Sequence, residues 1–312
     1  MSNGDATSAH LKRFHANRHA RLQALEDAGY QYDLLTTEQI EGGKLSGYRV
    51  LILPDSIALS DGEVAAMRKF VESGGLLLSD VETGLMDSHA RWQAAGRLDD
   101  VLGVQRLETR SAPNDTTATR LHVTLSRGPV DFDVLSSSPS LRTTTGRPLA
   151  AAVAAPESAR RPGAGERFFL VTNRIGLGRS ISFNFWMTDY AALRGTPAQT
   201  SRLALLRDFL SFAGVRPVAD VRNAAGKPLS CSEVVAFRRA NSRYVAILPE
   251  PYCRDGGTFT LNLETPQYVY DLRAHRQLGR LSRIIGTLVP SEPLVYALET
   301  APLGRLSVAP AD

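Results

Sequence analysis

Two short apolar runs constrain this chain more than anything else in it. The first is Tyr48-Arg49-Val50-Leu51-Ile52-Leu53, stopped by Pro54; the second is Leu76-Leu77-Leu78-Ser79-Asp80, preceded by Gly74-Gly75. Neither alternates apolar with polar, and both are too short for a helix. That pattern fits strands buried on both faces of a parallel sheet. Between them Ser60-Asp61-Gly62-Glu63 has the spacing of a capping box, and Val64, Met67, Phe70 and Val71 share one helical face. Strand, helix, strand with short links is a right-handed crossover unit, so the N-terminal part is expected to be a wound α/β sheet.

The flanking sequence adds elements to that unit. Leu11, Phe14, Leu22 and Leu25 predict a helix over residues 9–28, capped by Gly29, and Tyr30–Leu35 reads as a strand. After Gly103 the composition shifts to short β-prone stretches, Arg120–Leu125 and Val130–Leu135, among Ser, Thr, Pro and Gly. This reads as a β-rich insertion over about 104–165, with Pro156–Gly165 a loop. Phe168–Thr172 and Ser180–Phe185 form a hairpin through Gly176 and Gly178, and a helix over Thr200–Ala213 ends at Gly214. From 215 to 312 short alternating strands recur between turns: Val234–Phe237, Tyr244–Leu248, Thr258–Leu263, Tyr268–Leu272 and Val295–Leu298. They predict a small antiparallel β-sandwich. The expected domains are therefore 1–214 and 215–312.

Charge and composition remove several function classes. The 312 residues carry 32 Arg against 4 Lys, but the net charge is only +4 and the Arg are scattered, so no nucleic-acid-binding stripe forms. No apolar run approaches the roughly 20 residues of a membrane span, and the N-terminus has no signal-peptide pattern. A cytoplasmic protein without membrane or nucleic-acid partners is expected. Cys231 and Cys253 are the two cysteines, too few for a disulfide scaffold or a four-thiolate metal site; both are expected to be structural and unpaired.

The stretch Leu45-Ser46-Gly47-Tyr48 through Leu53-Pro54, then Leu59-Ser60 and the helix ending Phe70-Val71-Glu72-Ser73-Gly74-Gly75-Leu76-Leu77, resembles the trimerisation domain of family 42 β-galactosidases. Thr83-Gly84-Leu85-Met86-Asp87-Ser88-His89 matches the same family's segment after the strand. The resemblance implies a flavodoxin-like, class I glutamine-amidotransferase-like fold, placed in those enzymes between a catalytic (β/α)8 barrel and a small β domain. It implies self-association, as a trimer, or docking to an upstream glycosidase barrel. Two departures follow. A first strand should precede the opening helix, where only about ten polar residues stand; either the sheet lacks that strand or the chain is a fragment. A barrel takes at least about 200 residues, so glycosidase chemistry is not expected from this chain.

An amidotransferase needs a Cys nucleophile on a tight strand-to-helix turn. The turn after Leu53 reads Pro54-Asp55-Ser56-Ile57, without a thiol, and no G-x-S-x-G elbow surrounds Ser56. Ligands of open α/β sheets bind beyond the carboxyl ends of the strands. Asp55, Asp80, Glu82, Asp87 and His89 all follow such ends and could converge there as a sugar or cation site. Loop capping and ion pairs to Arg91 or Arg97 are the simpler account of the same residues. The run Phe183-Asn184-Phe185-Trp186-Met187-Thr188-Asp189-Tyr190 offers Asn184, Trp186, Asp189 and Tyr190 for sugar stacking and hydroxyl recognition, or else for core packing. His15 and His19 lie one helical turn apart without a third ligand, and no H-x-H or H-E-x-x-H spacing occurs, so neither a metal nor a cofactor is expected. The leading expectation is a non-catalytic accessory or oligomerisation module. A carbohydrate-binding module, or a hydrolase working at the same strand-end edge, is the alternative.

Overall fold

The computed structural model describes residues 3–107, 116, 118–152, 167–251 and 257–304. The chain divides into two compact units, one of Met1–Ala24 with Asp33–Val215, the other of Leu25–Tyr32 with Arg216–Asp312.

In the first unit α1 (Asn3–Asp27) opens the chain, and its last turn belongs to the second unit. A Thr36 capping box with Gln39 starts the short α2 (Thr37–Glu41). The crossover follows as β1 (Val50–Leu53), β2 (Ala58–Leu59), α3 (Asp61–Glu72) and β3 (Leu76–Ser79). The Ser60 side chain accepts the Glu63 N–H and the Glu63 carboxylate accepts the Ser60 N–H, as the capping-box spacing requires. β1 and β3 pair in parallel, Val50 opposite Leu76 through Leu53 opposite Ser79. Beyond their ends β4 (Met86–Asp87) runs parallel to β2. α4 (Asp99–Leu102) and β5 (Val104–Arg106) then lead into the insertion.

The insertion is β-rich. Its hairpin of β6 (Thr119–Leu125) and β7 (Gly128–Val134) turns Leu121, Val123, Leu125, Phe132 and Val134 inward. β8 (Leu141–Thr143) pairs with β5, and β9 (Arg147–Pro148) joins the main sheet. β10 (Ala150–Ala152) lies antiparallel to β6. The chain returns through the hairpin of β11 (Leu170–Ile175) and β12 (Gly178–Phe183), then α5 (Tyr190–Leu193) and α6 (Pro197–Phe212). The main sheet has the order β1-β3-β12-β11-β9. β1, β3 and β12 are parallel, whereas β11 and β9 run antiparallel to their neighbours. Met67, Phe70 and Val71 of α3 pack with Leu53, Leu77, Val171 and the α4 residues Val101 and Leu102 on one side of it.

Two expectations change in this unit, and a third falls outside the described residues. Tyr30–Leu35 forms no strand: among the described residues β1 has only β3 beside it, and a strand exists only through its ladder. α1 buries Asn17, Ala20, Arg21 and Ala24, and of the apolar stripe it buries Leu25, while Leu11 is 53% exposed. The loop Pro156–Gly165 lies outside the described residues.

In the second unit β13 (Asp220–Asn223), β14 (Ser232–Arg239), β15 (Ser242–Pro249), β16 (Thr258–Asp271), β17 (Arg276–Thr287) and β18 (Leu294–Glu299) form one six-stranded antiparallel sheet. The expected sandwich of two sheets is replaced by this single curled one. Its cause is β16, which fuses the runs Thr258–Leu263 and Tyr268–Leu272. The first half of β16 pairs with β13, the second with β18, and β17 follows both. The register shifts between Asn262 and Gln267, around Pro266, which has no N–H for a ladder. Val245, Ile247, Phe259 and Val269 fill the core under the curl. Cys231 is half-buried at a left-handed φ of 61°, its N–H donating to the Asp27 carboxylate at 2.6 Å; Cys253 lies outside the described residues.

A candidate site at the strand ends

The parallel pairing of β1 and β3 sends both carboxyl ends to one edge of the sheet. Pro54 stops β1, and Asp55 then turns the chain in the left-handed region at φ 52°, which Asp tolerates better than most residues. The turn aims the Asp55 N–H at Asp80 Oδ2, 2.8 Å away. Asp80 leaves β3, and Thr83 closes the next turn, its hydroxyl 3.2 Å from Asp80 Oδ1.

The other side of this site comes from α1. Arg13, Asn17 and Arg21 are spaced by four residues and share one helical face. Asn17 is wholly buried. Its Nδ2 donates to Asp80 Oδ2 at 2.9 Å, and its Oδ1 accepts the Met187 N–H at 2.7 Å. Arg13 donates to Glu82 Oε1 at 2.8 Å and lies 4.5 Å above the Trp186 ring. Arg21 stacks 4.3 Å above the Phe183 ring. α1 thus fills the edge where an open α/β sheet would receive a ligand.

Burial pushes both central carboxyls up. For Asp80 it is offset in part by Arg21 and by the hydrogen bonds it accepts from the Asp55 N–H, Asn17 and Thr83. Both Asp55 oxygens are buried and accept no hydrogen bond among the described residues. Burial first, and the Asp80 charge second, push the Asp55 carboxyl up to about 8; the nearby Asn17 amide and Arg21 offset part of this.

The remaining expected site residues go elsewhere. Asp87 caps its own loop, accepting the His89 and Arg91 N–H groups and pairing with Arg91 Nε at 2.9 Å. His89 points to solvent. Arg97 pairs with Asp61 rather than with the acidic cluster. Asn184 is a buried brace, its Nδ2 donating to the Ser138 carbonyl at 2.6 Å and to that of Phe168 at 2.7 Å. Asp189 pairs with the buried Arg202 at 3.2 Å. Trp186, 2% exposed, and Tyr190, fully buried, present no ring face to solvent.

His15 and His19 are exposed, and no group of three potential ligands able to hold a metal occurs among the described residues. Sequence reasoning also passed over Arg106. This buried guanidinium joins Asp99 through Nε at 2.7 Å and takes the carbonyls of Val81 and Thr83 through Nη1, at 3.2 and 2.6 Å. Arg13, Asn17 and Arg21 were visible only as a polar i, i+4, i+8 row, which ordinarily marks a solvated face.

Comparison with known proteins accounts for this architecture. The β-galactosidase BbgII of Bifidobacterium bifidum is 27% identical over 190 residues, 59% of this chain and 26% of that protein. The solved β-galactosidase of Bacillus circulans sp. alkalophilus superposes with a TM-score of 0.64 at 17% identity, over 91% of this chain and 37% of its own. That of Rahnella sp. R3 gives 0.65 at 13% identity, over 90% and 36%. These structural likenesses show the fold, and the chain spans well under half the length of each relative. The sequence profile of the β-galactosidase trimerisation domain matches residues 6–181, more than half of the chain, from within α1 through the strand-end carboxyls and the insertion; the chain belongs to that family.

Proposed function

We propose that this chain is a non-catalytic assembly module of flavodoxin-like, class I amidotransferase-like descent, which holds copies of itself together as a trimer. The observation that carries the reading is the closed strand-end edge. Asn17 is spent on Asp80 and the Met187 N–H, and Arg13 on Glu82. A turn with Asp55 where an amidotransferase carries its thiol supports the same view. The three parallel strands β1, β3 and β12 fit the flavodoxin-like descent, and the family's own description supplies the trimer. Leu11, exposed on the outer side of α1 near the half-buried Phe14, is a contributor to the contact between copies.

Light scattering on the purified chain tests this. A trimer of 33.9 kDa chains has a mass of about 102 kDa. A monomer at tens of micromolar would remove the assembly reading. Hydrolysis of a nitrophenyl galactoside, abolished by a single substitution in this chain, would remove the non-catalytic one. Sugar binding through Trp186 and Tyr190 would first require their cover to move, so a saccharide titration that leaves tryptophan fluorescence unchanged supports assembly over recognition.

A further inference from the structure

The amino end of the main sheet, opposite the carboxyl cluster, is both apolar and basic. On the α6 side of β12, Phe183 meets Phe209 edge to face at 5.9 Å; one turn later Phe212 lies under the Arg179 guanidinium at 4.5 Å. The sheet gives no cover beyond that pair. Phe212 is 63% exposed, and Leu177, in the β11–β12 turn, is 79% exposed. Arg174 stands directly opposite Arg179 in the ladder, a like-charge pair that costs stability, and neither has a carboxylate partner among the described residues. Exposed Arg49 donates to the Gly214 carbonyl at 2.9 Å on the same end. Glu72, whose carbonyl accepts the Leu177 N–H at 2.9 Å, has its own charge beside Arg68 of α3.

The other end of α3 carries the reverse charge. The helix rises about 17 Å from Asp61 to Glu72, and its last residue touches the hairpin turn, where a Cβ on Gly176 would meet the Glu72 carbonyl. Around its first turn Thr37 donates to Glu63 at 3.0 Å and Ser60 donates to Glu41, which seats α2 there. Glu38, Glu41 and Asp61 are exposed on this corner, with Leu34, 64% exposed, just before the Thr36 cap. Arg97, paired with Asp61, offsets one of the three carboxylates.

Resting on the assembly reading above, we propose that copies join head to tail, the Leu177–Phe212–Arg179 end of one seated on the Leu34–Glu38–Asp61 corner of the next. Two unlike patches on one chain make a heterologous contact, which builds a ring when the rotation per copy closes, rather than a two-fold pair. Opposite charge sets which patches meet, and Leu177 and Phe212 are the apolar anchors.

Two variants disable one patch each: Leu177→Ser/Phe212→Ser/Arg179→Glu, and Leu34→Ser/Glu38→Lys. None of these side chains is buried, so both variants are expected to keep the parent's urea midpoint. Light scattering at tens of micromolar is expected to give about 102 kDa for the parent and about 34 kDa for each variant alone. That fall corresponds to association weakened at least about a hundredfold. Mixed in equal amounts, the variants retain one intact contact between them and are expected to form a species of about 68 kDa. A trimeric parent whose variants keep the trimer mass overturns the head-to-tail contact and leaves the assembly reading standing; so does a mixture that stays monomeric. A monomeric parent overturns both, and its sedimentation with anionic vesicles would assign the basic end to a lipid surface instead. Should one variant fail to fold, retention of the trimer by the other overturns the proposal equally.

Discussion

Replacing Asn17 by Ala isolates the contribution of one buried amide to the closure of α1. The side chain makes two hydrogen bonds and is wholly shielded from water. Its loss takes a donor from the Asp80 carboxylate, worth roughly 1.5–3 kcal/mol for a bond to a charged group, and orphans the Met187 N–H, worth about 1–3 kcal/mol. Ala is the better helix former by about 0.5 kcal/mol, which offsets little. The net expectation is a loss of about 2–5 kcal/mol, a large part of the 5–15 kcal/mol that holds a typical domain folded. Urea unfolding followed by tryptophan fluorescence reads this in the right place, since Trp92 and Trp186 both belong to the first unit. With a slope of about 2 kcal/mol per molar, the midpoint should fall by roughly 1–2.5 M. Lys12→Ala, on the exposed side of α1, should stay within about 0.5 kcal/mol of the parent. A loss below about 1 kcal/mol for Asn17→Ala would refute the view that this amide anchors the helix.

Arg106→Ala should cost about 3–5 kcal/mol, because it leaves Asp99 buried without its cation and two carbonyls without a donor. Differential scanning calorimetry should show the first unit melting about 10 °C lower, and an unchanged melting temperature would show that the ion pair is dispensable. Gly178→Ala drives a methyl group into the Val71 carbonyl, backbone against backbone, and should cost about 2 kcal/mol or more in the same urea titration. Gly47→Ala, whose new methyl meets nothing within 4 Å, is its control, and equal losses for the two would contradict the steric reasoning.

Sequence alone determined the elements whose signals are local. The apolar runs of β1 and β3, the Ser60 capping box of α3 and the Gly176–Gly178 turn of the β11–β12 hairpin each sit within a few residues of the structure they specify. The strand-end positions of Asp55, Asp80 and Glu82 followed from the same reading, because a parallel pair must place both carboxyl ends on one edge. Tertiary structure decided what meets them. Asn17 lies 63 residues from Asp80 and 170 from Met187, and nothing in the period of α1 distinguishes a polar row meant for water from one meant for buried carboxyls. Tyr30–Leu35 has the composition of a strand but finds no ladder, and β16 absorbs two separate strand signals because its two halves pair with different neighbours. Periodicity records which face of an element is apolar, whereas charge balance, ladder partners and register depend on residues far away in the chain and exist only once the fold has brought them together.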